Sequence, residues 1–126
     1  MARTVEDLQV YQKAIAASRR ISMLLTRPGL ADDLELRSQI SRCAIRVPSD
    51  ISEGFEQKTD RSFARYLYDA RGSAQELRTQ LQIALDRRAI SAADCHECRE
   101  AYAEVARMLT GLIRHLERED RRVRIR

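Results

Sequence analysis

Apolar residues recur at spacings of three and four over most of the chain, as in helices that bury one stripe. In the first such segment, 4–26, the stripe is Leu8, Tyr11, Ile15, Ser18, Ser22 and Leu25, with Ile21 and Leu24 beside it. Thr4 and Asp7 are spaced as an N-cap pair. Pro28 and Gly29 then oppose helix and end the segment. A second segment opens at Asp32, which with Glu35 forms a capping box. It runs through Leu36, Ile40, Cys43, Val47 and Ile51 to Gly54 or Phe55. Its phase does not slip at Pro48, where a break and restart would shift it. We therefore read one helix kinked at Pro48, which loses the hydrogen bond to the Ala44 carbonyl. A new helix with Pro48 first and Asp50 in its first turn is the alternative.

The third segment starts at Thr59 or Asp60. Phe63, Leu67, Ala70, Ala74, Leu77 and Leu81 carry its stripe, which closes near Arg88. Gly72, Ser73 and Ala74 at its middle suggest close approach of another helix. Ser91 and Asp94 are spaced to cap the fourth segment, whose seam is Cys95, Cys98, Tyr102, Val105, Leu109, Leu112 and Leu116. From Glu117 the pattern stops. Residues 1–118 thus read as the domain and 119–126 as an exposed basic tail. Four helices with short connectors alternate in direction. The predicted fold is all-α, an antiparallel up-down four-helix bundle with its second helix kinked at Pro48.

Composition agrees. The 126 residues include only 4 Gly and 2 Pro, with 5% aromatics, a balance that suits helices rather than sheets. No apolar run approaches the roughly 18 residues needed to cross a bilayer. The opening MARTVEDLQV lacks the apolar stretch of a signal peptide, and an odd count of 3 Cys fits a reducing compartment. The expected location is the cytoplasm, without membrane association.

Candidate chemistry is sparse. Cys95 and Cys98 in CHEC have the spacing of half a zinc site or a redox pair. They also fall on the apolar seam, where Cys behaves as a small hydrophobe. His occurs only at 96 and 115 and forms no Glu-x-x-His, which argues against a carboxylate-bridged metal pair. No nucleophile triad, phosphate loop or zinc-protease motif is present. The expectation is no enzyme, no metal and no cofactor; a small Cys/His metal or redox bundle is the remaining chemical alternative.

Charge changes the picture. Of 23 basic residues, only Lys13 and Lys58 are lysine. Arginine binds phosphate bidentately and stacks on bases. Arg42 and Arg46 share a face of the second helix, and Arg61 and Arg65 do so on the third, where Arg71 and Arg78 lie seven apart. Arg121, Arg122, Arg124 and Arg126 load the C-terminus, after Arg114 and Arg118. Clustered arginine is the footprint of phosphate-backbone binding. Arg-biased codon usage and a solvated face laced with acids are the plain alternatives. The candidate nucleic-acid-binding residues are Arg42, Arg46, Arg61, Arg65, Arg121, Arg122, Arg124 and Arg126.

The stretches SQISRCAIRVPSDISEGFEQ and SFARYLYDARGSAQELRTQLQIA, with DLQVYQKA at 7–14, resemble the four-helix-bundle family encoded in intervening sequences of bacterial 23S rRNA genes. A related branch holds the Avd-type accessory proteins of diversity-generating retroelements. The resemblance covers roughly 7–116. By position, Gln39, Pro48, Ile51, Glu53 and Gly54 match its second-helix motif. Gly72, Ser73 and Glu76 match its third. Asp50 stands where the family usually has Asn. The resemblance implies polar bonds from this motif across to the third helix or a neighbouring subunit. It also implies a homo-oligomer, commonly a pentamer, that associates with RNA and, in the retroelement branch, with a reverse transcriptase. Apolar residues flanking the seams, such as Leu8, Val10, Tyr68 and Ile83, are left outside one bundle and also point to self-association. A structural ring that binds a protein partner is the alternative function.

Overall fold

The computed structural model describes residues 1–125; Arg126, the last candidate phosphate-binding arginine, lies outside the described residues. All regular structure among them is helical. A 3-10 turn (Val5–Asp7) precedes α1 (Gln9–Leu24), followed by the single turn α2 (Pro28–Ala31), α3 (Leu34–Phe55), α4 (Asp60–Asp86) and α5 (Ala92–Ile125).

The chain's punctuation explains these limits. The Asp7 carboxylate accepts from the backbone N–H of Arg3 and Thr4 at 2.9 and 3.1 Å. The Thr4/Asp7 pair therefore organises the 3-10 turn, and the long helix begins only after an extended Leu8. Pro28 does not merely break the chain. It takes the first position of α2, where a missing N–H is harmless. A Cβ on Gly29 would lie 2.7 Å from the Ala89 carbonyl oxygen, so only glycine lets α2 meet the α4–α5 connection. Asp33, one residue after the expected cap, accepts from the Leu36 N–H at 3.2 Å and starts α3. Thr59, at the expected start of its segment, caps α4, and Ser91 caps α5 as predicted; they accept from Ser62 and Asp94 at 3.1 and 3.0 Å. α3 runs through Pro48 without interruption.

The long helices close a ring in the order α1, α3, α4, α5. Cross-helix contacts fix their directions. Arg87 meets Asp33 while Glu76 meets Cys43, so α4 runs against α3. Gln82 meets Arg99 while Arg61 meets Asp120, so α5 runs against α4. Lys13 meets Glu104 while Arg20 meets Glu97, so α1 runs against α5. The architecture is an antiparallel four-helix bundle with α2 as an added turn.

Ile40, Val47, Ile51, Leu67, Leu77, Leu81, Tyr102, Val105 and Leu109 fill the core with almost no exposed surface. Each such aliphatic contributes roughly 1.5–3 kcal/mol through burial. α1 departs from the predicted stripe: Val10, Ala14, Ala17, Ile21 and Leu24 face inward. The small Ala14 and Ala17 allow close approach, leaving Tyr11, Ile15 and Leu25 half-buried beside α3. Val10, expected outside, is therefore a core residue. On α5, Ile113 replaces Leu112 as the buried member of an ambiguous apolar pair. Gly72 faces solvent with nothing near its Cβ position, so the expected close approach belongs to buried Ser73 and Ala74 alone. Residues 119–125 are not a separate irregular tail but the end of α5. Asp120 already lies level with the start of α4, so residues 121–125 project past the bundle and are exposed.

Candidate nucleic-acid interface

Arg61 and Arg65 occupy the first two turns of α4, and Arg121 and Arg124 the last turns of α5. Antiparallel packing brings all four around one open cleft of about 520 Å³, with Tyr68, Glu117 and Asp120 in its wall. Asp120 lies 3.5 Å from Arg61 and 3.8 Å from Arg124. Such long, half-exposed pairs are worth little, about 0–1 kcal/mol, and the four arginines outnumber the cleft's two carboxylates, Glu117 and Asp120. Among the described residues, Arg65 and Arg121 have no carboxylate within 4.0 Å. The Tyr68 hydroxyl donates to Glu117 Oε2 at 3.0 Å. That bond, followed by burial, raises the phenol above its ordinary range.

The basic surface continues along the same helix pair. Arg71 donates to Thr110 Oγ1 at 3.1 Å, Arg78 to Gln75 Oε1 at 3.3 Å and Arg99 to Gln82 Oε1 at 3.2 Å. These partners are neutral, so each guanidinium keeps its charge available. Arg78 also lines a shallow depression with Arg107 and Arg114. Meanwhile Glu97 and Glu104 of α5 turn the other way, toward Arg20 and Lys13 of α1. With these two acids turned away, arginines outnumber carboxylates on the α4–α5 face, where Glu100, Glu117 and Asp120 remain among them. Arg99 and Arg107 were not singled out in the sequence, Arg99 because Glu97 and Glu100 flank it and Arg107 because it stands alone; their helical phase was the available signal.

The other candidates do not join this face. Arg42 and Arg46 lie on α3, which contributes nothing to the cleft. Arg46 has acidic neighbours: the Asp50 carboxyl is pushed up by burial and by Asp69 and Glu53, and pulled down by Arg46. Arg122 pairs with Glu119 at 3.2 Å on the projecting end of α5.

The family-type motif is structural where it meets the core. Ile51 is buried, and a Cβ on Gly54 would stand 2.8 Å from Tyr66 Cβ and 2.9 Å from Phe63 Cδ1. The polar bond between α3 and α4 comes from Cys43, whose thiol donates to Glu76 Oε2 at 3.2 Å and accepts from Gln80 Nε2 at 3.5 Å. Gln39 is exposed. Pro48 and Glu53 line an open groove of about 640 Å³ between α1 and α3, together with Tyr11, Ile15 and Ile45. Cys95 and Cys98 are buried and unbridged, and burial pushes the Cys98 thiol up to about 11. Among the described residues no three His, Cys, Asp or Glu side chains gather as a metal site, and no helix is long and apolar enough to cross a membrane.

Together these features define a small all-α bundle with an arginine-rich α4–α5 surface. The family model described as 23S rRNA-intervening sequence protein matches residues 6–111, and the chain belongs to that family. No curated protein gives a significant sequence match. The matched segment includes Arg61, Arg65 and Tyr68 but stops short of Arg121 and Arg124. The cleft is therefore completed by the part of α5 beyond the match.

Proposed function

We propose that the protein is a non-enzymatic accessory protein that associates with RNA through its α4–α5 face. The supporting observation is the convergence of Arg61, Arg65, Arg121 and Arg124 on one open cleft from opposite ends of the sequence. Guanidinium groups so placed match the phosphate backbone in charge and geometry. The family's description makes ribosomal RNA the first partner to test. Arg65→Ala with Arg121→Ala should weaken retention of RNA at low salt several-fold, while Arg42→Ala with Arg46→Ala should change it little. Equal loss from both pairs would remove the assignment to this face.

The protein acts in this reading as a homo-oligomer, with five chains as the resemblance implies. The α1–α3 groove, whose lining mixes serines with Ile15, Leu25, Pro48 and the exposed Ile45, supplies a surface for self-association. A reverse transcriptase is a further partner implied by the resemblance and is tested by co-purification. The second reading, a scaffold ring that binds a protein partner, is favoured by the same groove and takes over if no RNA is retained at low salt.

A further inference from the structure

The cleft holds one feature that phosphate binding does not use. Tyr68 is the aromatic residue in its wall and is 41% exposed. Its ring is held at two points: the hydroxyl donates to Glu117 at 3.0 Å, and the Arg71 guanidinium lies 4.9 Å from the ring centroid. Arg71 is itself anchored by Thr110. The ring is thus a pre-oriented plate, under a cation on one face and partly exposed, in the lining of a cleft bordered by Arg61, Arg65, Arg121 and Arg124.

A flat, fixed π-surface ringed by guanidinium groups suits an unstacked nucleobase whose flanking phosphates reach the arginines. A duplex presents phosphates to such a cleft but keeps its bases paired and stacked, out of reach of the ring. We propose that Tyr68 is a base-stacking platform and that the cleft selects single-stranded RNA, with one unpaired base on the ring and its neighbouring phosphates on Arg61, Arg65, Arg121 and Arg124. This inference rests on the RNA-binding reading of the same face and adds the class of RNA. Arg71, packed on the ring, strengthens the plate by a cation–π contact.

The test measures binding of the full chain to a labelled 12-nucleotide RNA, to the same strand with its central three nucleotides abasic, and to a 12-base-pair RNA duplex. Tyr68→Leu and Tyr68→Phe are compared with wild type, and circular dichroism checks that each folds. Wild type should prefer the intact single strand to both other ligands. Tyr68→Leu should weaken single-strand binding between about 5-fold and 100-fold, the effect of losing one stacked base. It should leave duplex affinity and salt dependence unchanged, because no phosphate contact is lost. Tyr68→Phe, which keeps the ring, should retain most of the affinity. Equal binding of intact and abasic strands, or no effect of Tyr68→Leu, overturns the stacking site and leaves the phosphate-binding face standing. Failure of wild type to bind any of the three at low salt overturns both.

Discussion

Gly54 and Gly72 sit on neighbouring helices, and the structure makes opposite demands on them. A methyl group at Gly54 would meet Tyr66 and Phe63 at under 3 Å, so Gly54→Ala should destabilise by about 1–3 kcal/mol through overpacking. At Gly72 the same methyl enters open space, and Gly72→Ala should stabilise the exposed helix by about 1 kcal/mol. Urea denaturation midpoints of the two variants should move in opposite directions. Asp50 offers a pH-dependent case. Its carboxyl is raised from 3.8 by burial, then by Asp69 and Glu53, so the folded state holds its proton more tightly than the unfolded chain. Ionised Asp50 therefore opposes folding at neutral pH, and the penalty fades as pH falls through the raised value. Asp50→Asn, which restores the residue usual in the resembling family, should raise the thermal midpoint at pH 7, with the gain shrinking toward pH 4. A gain independent of pH would rule out this electrostatic cause.

At the scale of elements, the four long helices, the continuity of α3 through Pro48 and the cap of α5 were legible from spacing alone, whereas the turn α2 at Pro28 was not. The inner face of α1 was not. Its apolar residues cover two adjoining faces, and only the packed bundle decides that Ala14 and Ala17 point inward while Tyr11 and Ile15 border a groove. The end of α5 was read as an exposed tail, and that it continues the helix could not be read because it has no apolar stripe. It lies beyond the start of α4 and has nothing to bury against; Glu119–Arg122 and Asp120–Arg124 contacts line its surface instead. Removing residues 119–126 should accordingly leave the bundle's cooperative unfolding in place, with a midpoint within a few degrees of the full chain. The same truncation removes Arg121 and Arg124 and should weaken RNA binding. A collapse of the fold would mean that this turn supports the core.

For the whole molecule, the arginines of the interface could be named from sequence, but not their meeting. Arg61 and Arg124 are distant in the chain and become neighbours only through the register of α4 against α5. That register also separates them from Arg42 and Arg46, which sequence placed in the same set. The exposed Ile45, Met23 and Leu34 add a prediction about assembly. Light scattering at micromolar concentration should give a mass near five times the 14.5 kDa chain, and a monomer would contradict self-association. In a ring, each cleft recurs on every copy, so contacts that are weak singly gain avidity on one strand. The most direct test of the RNA-binding face is the salt dependence of its affinity for single-stranded RNA, in wild type and in Arg65→Ala with Arg121→Ala. Affinity should fall steeply with salt, and the log–log slope of the variant should be shallower by about 0.7 for each phosphate contact removed per binding site. Affinity that does not change with salt, or a slope identical in the two proteins, would contradict a phosphate-binding face on α4 and α5.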